Sequence, residues 1–233
     1  MGFSHPNVFG TFVLSIMSEY IYLRYRKLNI LDVAIIVIVI WIIGYYADSR
    51  TSQMCLGILI IFSLFVRKNE KKFGKKINNV ISNTFFICAA ISFISAFLYS
   101  RNNWLMIKIN EIITGRLNFI VQFFKEYKIS AFGNEIIIIG TKLSSETGLK
   151  PWILDNAYSL ILLRYGIITF LMLGVYLNLF FKKAYENKEY IIILIMLVFL
   201  LFGLLESGIV KVEYNIFWLY FSKLLYDKKT NYN

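Results

Sequence analysis

Three arginines, Arg50, Arg116 and Arg164, have the chemistry that best suits an anionic ligand. A guanidinium keeps its charge and can hold two phosphate oxygens at once. Arg164 lies inside an apolar stretch, and an arginine in the hydrocarbon usually faces a polar interior. Simpler interpretations stay open: Arg50 could cap a helix, Arg116 could face solvent, and Arg164 could extend to the membrane interface.

A second group of polar side chains could position or deprotonate a hydroxyl group. Asp155 and Asn156 immediately precede an apolar stretch, Glu206 follows another, and His5 lies near the start of the chain. Here too a simpler interpretation is available. Asp155 and Asn156 could cap a helix, Glu206 could end its stretch at the interface, and His5 could be a loop residue.

Seven apolar stretches dominate the chain. They cover 8–23, 29–47, 53–66, 78–99, 157–181, 190–205 and 209–226. Several approach the ~20 residues with which a helix crosses ~30 Å of hydrocarbon. The third and the seventh are short or polar and could be tilted, buried or partly re-entrant. We therefore predict an all-α, polytopic integral membrane protein with about seven transmembrane helices, formed as a single transmembrane domain over residues 1–233.

The lysines and arginines between the stretches predict the side of the membrane that each piece faces. Every second piece is basic, and short basic loops stay in the cytoplasm. The pieces predicted inside are 24–28, 67–77, 182–190 and the C-terminus. Those predicted outside are the first residues, 48–52, 100–156 and 206–212. The pattern predicts a multi-pass protein of the cytoplasmic membrane, and the net charge of +11 needs no nucleic-acid partner.

Residues 100–156 form a hydrophilic segment large enough to build a site. Between Trp104 and Tyr127, apolar residues recur near helical spacing with charged residues between them. This pattern predicts an amphipathic helix at the membrane surface or against the helix bundle. Residues 135–140 could form a short strand or a buried extended piece. The segment is therefore predicted to be a large extracytoplasmic loop that contains an amphipathic helix.

Metal and redox chemistry have little support in the sequence. The chain has one histidine, and Cys55 and Cys88 fall inside apolar stretches without a metal-binding or redox spacing. A site without metal or cofactor is therefore expected. The first residues carry no basic leader and yet are predicted outside, so we expect an N-terminally truncated version of a longer protein.

Short strings spread along the chain resemble one family. They are 2–7 (GFSHPN), 47–52 (ADSRTS), 114–116 (TGR), 132–134 (FGN) and 154–158 (LDNAY), followed by Gly166. Their order, rather than any single string, resembles the Wzy-type polysaccharide polymerases of the O-antigen polymerase and ligase superfamily. Family members usually carry additional N-terminal spans, in line with the expected truncation. Ligase relatives typically have His where Asp155 stands, which favours a polymerase.

The resemblance implies a metal-independent glycosyltransferase on the outer face of the membrane. It would polymerise oligosaccharide repeat units, with a glycan on undecaprenyl diphosphate as donor and a lipid-linked repeat unit as acceptor. Arg50 and Arg116 would stabilise the leaving diphosphate in place of a metal ion. Asp155, or else Glu206, would position or deprotonate the acceptor hydroxyl. The residues expected to bind substrate are His5, Asn7, Asn156, Tyr158 and Arg164. The expected partners are membrane lipid, a flippase and a chain-length regulator.

Three alternatives stay open. An O-antigen-ligase-like transferase would use the same donor chemistry, and a fragment could be inactive. A transporter or flippase of lipid-linked sugars would also gather arginines around a diphosphate. Such a transporter would more often show basic residues deep in several spans and similarity between its halves. The polar residues here gather at one face and one loop, which favours the polymerase.

The predicted topology can be tested with single cysteines. In a Cys55→Ala, Cys88→Ala background, Lys142→Cys should react with a membrane-impermeant maleimide on intact cells, because residues 100–156 are predicted outside. Lys72→Cys should not react, since its basic loop is predicted inside. Lysed cells are the control, in which both cysteines should react. Labelling of position 72 but not of position 142 on intact cells would show that the topology is inverted.

Overall fold

The chain folds into helices. A computed structural model describes residues 6–47, 49–69, 75–220 and 222. Those residues contain no strand, and one antiparallel bridge joins Ile139 and Trp152. The α-helices are α1 (Pro6–Arg24), α2 (Ile30–Ala47), α3 (Arg50–Asn69), α4 (Lys75–Ser82), α5 (Thr84–Ser100), α6 (Trp104–Ile112), α7 (Arg116–Glu126), α8 (Thr141–Thr147), α9 (Ala157–Glu186) and α10 (Tyr190–Phe202). The predicted all-α class is confirmed.

Three helices are long and apolar enough to cross a membrane, namely α2, α3 over Arg50–Lys68, and α9. They coincide with the second, third and fifth apolar stretches of the sequence. Helices α5 and α6 together make a further candidate, bent by 114° at their break, and α10 is apolar but shorter. Large apolar side chains point outward from α2, as with Ile30 (83% exposed) and Trp41 (62% exposed). Apolar helices that could span a membrane are thus present, and seven spans stay a prediction.

Two predicted helical segments are divided in the structure. The stretch 78–99 is split at Asn83, whose side chain donates to the carbonyl four residues earlier (2.8 Å) and so competes with the helix ladder. The amphipathic helix predicted over 104–127 is split into α6 and α7. The reason is that Thr114 and Gly115 adopt positive φ values of 57° and 81°, which a helix does not accommodate.

In the last two apolar stretches, 190–205 and 209–226, the α-helix covers fewer residues than the sequence predicts. Helix α10 has 13 residues, or ~20 Å at 1.5 Å per residue. Short 3-10 helices follow at Ser207–Val210, Val212–Tyr214 and Ile216–Leu219. Buried Asn215 donates to the Met196 sulfur (3.5 Å), and the Trp218 indole donates to the Ile209 carbonyl (2.7 Å). These local polar contacts favour tight turns over a continuous α-helix.

The chain divides into two compact units. The first comprises Met1–Thr84, Leu177–Phe202 and Gly208–Asn233. In this unit α3 contacts α1, α2 and α10. Gly10 of α1 lies directly against Ser49 and Ser52, which is the kind of small-residue contact that lets membrane helices approach closely. Whether the chain is one transmembrane domain stays a prediction.

The second unit comprises Phe85–Tyr176 and Gly203–Ser207. Its core consists of apolar side chains from α5, α7, α9 and the intervening loops, namely Ala96, Leu117, Ile120, Phe123, Ile136, Leu154, Leu160 and Leu163. Phe123 of α7 stacks on Trp152 with ring centroids 4.7 Å apart. Together with the bridge between Ile139 and Trp152, this stacking fixes the segment that precedes α9 against α7. The residues 135–140, for which a strand was one prediction, contribute only that single bridge.

Helix α9 is interrupted at Gly166, whose φ of 84° and ψ of 171° are not helical. A loop that begins at Ser130 and ends at Asn134 fills the interruption. The Leu163 carbonyl accepts from the amide and from the side chain of Asn134 (both 2.9 Å), and the Ile167 amide donates to the Ser130 carbonyl (3.0 Å). Backbone groups released by the break are thus paired inside the protein, as a broken helix in a membrane requires.

Two glycines make this close approach possible. A Cβ built at Gly133 would overlap the backbone carbonyl of Arg164, and one at Gly166 would overlap the carbonyl of Ala131. Both glycines also have positive φ values, 93° and 84°. The string FGN and the downstream Gly166, which carried part of the family resemblance, therefore meet in the structure.

Gly133→Ala and Gly166→Ala should each lower the free energy of unfolding. The conformations alone disfavour a side chain by ~1–3 kcal/mol, and the overlap with a carbonyl adds to this. The thermal unfolding midpoint of the detergent-solubilised protein would measure the loss. Gly140→Ala is the matched control in the same unit, because Gly140 has a φ of −68° and open space around its Cα. Midpoints equal to that of the control would show that the loop does not fill the break.

Candidate functional site

Arg116 lies between two carboxylates in the second unit. Its Nη2 atom is 2.9 Å from Glu206 Oε1 and 3.7 Å from Asp155 Oδ2. The side chains of Arg116 and Glu206 are only 16% and 11% exposed, whereas that of Asp155 is 30% exposed. We call these three residues the charged cluster. It brings together three side chains that the sequence singles out separately.

The turn between α6 and α7 places Arg116. The Gly115 amide donates to the Asn110 carbonyl (2.7 Å), and Asn110 Oδ1 accepts from the Asn118 amide in the first turn of α7 (3.2 Å). Asn110 is held in turn by the Tyr99 hydroxyl, which accepts from its Nδ2 (3.3 Å). Arg116 is the first residue of α7, and the side chain of Asn110 holds the first turn of that helix in place.

Asn156 places the two carboxylates. Its Oδ1 caps α9 by accepting from the Ser159 amide (2.8 Å), and it also accepts from Ser92 Oγ of α5 (2.9 Å). Its Nδ2 donates to the Leu204 carbonyl (2.9 Å), and the amide of the following residue donates to the Gly203 carbonyl (2.9 Å). These bonds join the start of α9 to the 203–207 turn. As a result Asp155 and Glu206 both reach the guanidinium of Arg116.

Glu206 is the carboxyl group of the cluster with an altered titration. Burial raises the pKa of Glu206 from 4.5 to about 6, the Arg116 guanidinium opposes the rise, and the Asp155 carboxylate adds to it. Glu206 is therefore ionised at neutral pH and takes up a proton as the pH falls through about 6. A carboxylate of this kind is well suited to proton transfer near neutral pH.

Arg116 also carries an unused donor. Its Nη1 atom is buried and has no hydrogen-bond partner among the described residues. A buried N–H group without a partner destabilises a protein by ~1–3 kcal/mol, and such groups usually meet a ligand or water. The cluster can therefore donate to an anion through Nη1 while Nη2 stays on the carboxylates.

The predicted site residues are distributed over both units. Four of them meet in the second unit: Arg116, Asp155, Asn156 and Glu206. Two lie in the first unit, where Arg50 is exposed at the first residue of α3 and Asn7 is half-buried in the first turn of α1. His5 lies outside the described residues.

Tyr158 and Arg164 make other contacts within the second unit. Tyr158 is fully buried, with its ring centroid 5.4 Å from that of Phe85, and so belongs to the packed interior. Arg164 is exposed, and its Nη2 donates to the Ile136 carbonyl (3.3 Å). Arg164 thus ties the segment before α8 to α9.

Two supporting residues are missed by sequence reasoning. Ser92 is buried in α5, and a serine in an apolar stretch resembles any other small packing residue. Asn110 had a usable signal, because it precedes the Thr-Gly-Arg turn and asparagine side chains often bond to nearby backbone amides. Asn110 supports the turn that carries Arg116, and Ser92 supports Asn156, which positions the two carboxylates.

The cluster has two carboxylates and one cation. Across the described part of the chain, no group of three or more His, Cys, Asp or Glu side chains could hold a metal ion. The fold and the cluster define an all-helical protein with apolar helices that could span a membrane and with a partly buried arginine–carboxylate site. Comparisons with protein-family models, with curated proteins and with solved structures found no match.

Arg116→Gln should destabilise the protein in a pH-dependent way. Removing the cation leaves two carboxylates facing each other, and breaking a buried pair in this way lowers the free energy of unfolding by ~3–5 kcal/mol. The loss should be largest at pH 8 and smaller at pH 5. Glu206 has a pKa above its unfolded value, so the folded state binds the extra proton and gains stability as the pH falls through about 6.

Thermal unfolding midpoints in detergent at pH 5 and pH 8, compared with those of the wild type, would measure this effect. Lys125→Gln removes an exposed cation from the same helix and is the matched control. A loss in Arg116→Gln that is equal at the two pH values would contradict the coupling between Arg116 and Glu206.

Proposed function

We propose that this chain is a membrane glycosyltransferase of the Wzy type, which polymerises undecaprenyl-diphosphate-linked repeat units on the outer face of the cytoplasmic membrane. The observation that carries the proposal is the charged cluster, in which one guanidinium faces two carboxylates and keeps a buried donor, Nη1, for an anion. The strings TGR and LDNAY, on which the family resemblance rests, supply Arg116 and Asp155. The contact between these two residues therefore adds support that their separate positions in the sequence do not give.

The proposed reaction transfers the donor glycan to an acceptor hydroxyl. The hydroxyl oxygen forms a bond to the anomeric carbon of the donor sugar. The bond from that carbon to the diphosphate oxygen breaks, and undecaprenyl diphosphate leaves with the electron pair. A diphosphate is already a good leaving group, so it needs stabilisation of its developing charge more than a proton. Arg116 Nη1 would supply that stabilisation from a preorganised position.

Glu206 is the proposed acceptor of the hydroxyl proton. With a pKa of about 6 it is ionised at neutral pH and still basic enough to accept a proton in the transition state. Asp155 shares Nη2 of Arg116 and would hold the guanidinium in place. This order reverses the sequence-based preference, in which Asp155 came first.

The other predicted residues differ in what supports their roles. Arg164 is proposed to bind substrate, whereas the roles of Arg50, Asn7 and His5 stay predictions from the sequence. Asn156 and Tyr158 are 2% and 0% exposed. Because of that burial, their proposed contribution is to position α9 and its neighbouring carboxylate instead of touching the glycan.

The interrupted helix α9 is the observation that bears on the transporter alternative. Transporters often use the free backbone groups of a broken helix to bind ions or substrates. Here the Leu163 carbonyl and the Ile167 amide at the break are already bonded to the 130–134 loop. The break therefore offers little to a transported ligand, and the transferase remains the better interpretation.

The proposal can be tested by the glycan chain length in cells that depend on this protein. Arg116→Lys and Glu206→Gln should leave the protein in the membrane at the wild-type amount while long-chain glycan nearly disappears. Lysine cannot present a planar pair of donors, and the loss of one preorganised donor lowers a rate by ~10²–10³. Asp155→Asn should reduce chain length less than Glu206→Gln, since it removes a positioning group only.

Lys125→Gln is the control and should give normal glycan. The reaction rate on lipid-linked repeat units should also fall below pH 6, because protonated Glu206 cannot accept the hydroxyl proton. Normal chain length in both Arg116→Lys and Glu206→Gln would overturn the assignment of the cluster as the active site.

A further inference from the structure

A basic pocket lies in the first unit and shares no residue with the charged cluster. It encloses about 540 Å³ and is lined by the end of α1, the Tyr25–Lys27 turn and the start of α10. Four of its lining residues are cations: Arg24, Arg26, Lys27 and Lys188. The aromatic rings of Tyr22, Tyr25 and Tyr190 line it as well. Nothing in the proposed glycan chemistry uses these residues.

The charges of the pocket are only partly balanced. Arg24 is paired with Asp32, at 3.2 Å for both of its contacts, and the Tyr20 hydroxyl donates to the same carboxylate. Among the described residues that line the pocket, Glu189 alone is acidic, and it accepts from the Tyr220 hydroxyl (3.1 Å). Arg26, Lys27 and Lys188 are all exposed. Three cations are therefore left against one carboxylate, which suits an anion with more than one negative oxygen.

An apolar cleft adjoins the basic pocket. The cleft has a volume of about 370 Å³, shares Tyr22 and Leu23 with the pocket, and continues along Phe217 and Leu219. Glu19 also lines it, one turn of α1 before Leu23. A basic pocket and an apolar cleft thus lie side by side, and this arrangement matches the two chemically different parts of a phospholipid.

The surroundings of the pocket match a membrane interface. Leu23, which lines both cavities, is 77% exposed, and Ile30 at the start of α2 is 83% exposed. Both apolar side chains stand beside the cations of the turn between α1 and α2. That turn and the loop with Lys188 are two of the basic pieces predicted to face the cytoplasm. The cytoplasmic leaflet carries anionic lipids, and basic pockets between transmembrane helices on that side bind their headgroups.

We propose that this pocket and cleft bind one molecule of anionic phospholipid from the inner leaflet. The headgroup phosphate lies against Arg26, Lys27 and Lys188, and one acyl chain enters the cleft past Leu23 toward Leu219. Zwitterionic lipid is disfavoured, because the ammonium of its headgroup is repelled by the three cations. The site is separate from the proposed transfer reaction and does not depend on it.

The test measures how lipid changes the thermal unfolding of the full chain in detergent. Dioleoyl-phosphatidylglycerol, dioleoyl-phosphatidylcholine and inorganic phosphate are added separately, and bound lipid is counted by native mass spectrometry. We expect phosphatidylglycerol to raise the unfolding midpoint, and at low lipid concentration one molecule of it should stay bound to each protein. Phosphatidylcholine and inorganic phosphate should have little effect on the midpoint. The effect of phosphatidylglycerol should weaken as salt is added.

Two variants connect that response to the pocket. The triple variant Arg26→Gln, Lys27→Gln, Lys188→Gln should lose most of the rise in unfolding midpoint that phosphatidylglycerol causes. It should still fold, because all three side chains are exposed. Leu219→Gln, which alters only the cleft, should weaken the response to phosphatidylglycerol as well. The matched control, Lys125→Gln, Lys128→Gln, Lys150→Gln, removes the same charge from exposed positions of the second unit.

Four results would overturn the proposal. An equal response to inorganic phosphate would identify a site for a free anion, and an equal response to phosphatidylcholine would show that charge is not selected. A wild-type response in the triple variant would place the lipid elsewhere. An equal loss of the phosphatidylglycerol response in the control triple variant would show that the response depends only on the net charge of the protein.

Discussion

The buried amide of Asn156 is the interaction on which the second unit depends. One side chain caps α9, receives a hydrogen bond from α5 through Ser92, and fixes the 203–207 turn through Leu204. A buried amide that loses one of these partners leaves an unpaired polar group in a low-dielectric interior. The position of Glu206 beside Arg116 follows from that requirement. The position of both carboxylates therefore depends on hydrogen bonds that involve none of the three charges of the cluster.

The interruption divides α9, one of the helices that are long and apolar enough to cross a membrane. Residues 167–186 alone extend over ~30 Å at 1.5 Å per residue, close to the thickness of the hydrocarbon. Lys182 and Lys183 stand near the far end, where lysines can extend to the headgroups. Arg164 precedes this part of the helix, although it lies two turns inside the apolar stretch of the sequence, and its guanidinium donates to the Ile136 carbonyl.

Hydropathy predicts the helical class and the three helices that are long and apolar enough to span a membrane, because an apolar run of ~20 residues has few alternatives there. The chemistry of their side chains singles out Arg116, Asp155 and Glu206, because a guanidinium binds phosphate oxygens and a carboxylate can accept a proton. Neither hydropathy nor side-chain chemistry predicts that the three residues meet. That contact depends on Asn110 and Asn156, whose hydrogen bonds are formed with partners distant in sequence. Hydropathy also does not predict where a helix breaks, because a side chain such as Asn83 ends a helix locally without changing the mean hydropathy.

The second unit takes Glu206 from a segment that follows α10, a helix of the first unit. Ribosomes release the chain from its N-terminus, so α5, α7 and most of α9 are synthesised well before the Gly203–Ser207 segment appears. Until then the Asn156 amide has no Leu204 carbonyl, and Arg116 has only Asp155. A nascent chain of that length therefore contains Arg116 and Asp155 but lacks Glu206, the proposed proton acceptor. Synthesis order thus delays any activity at this site until the Gly203–Ser207 segment has been translated.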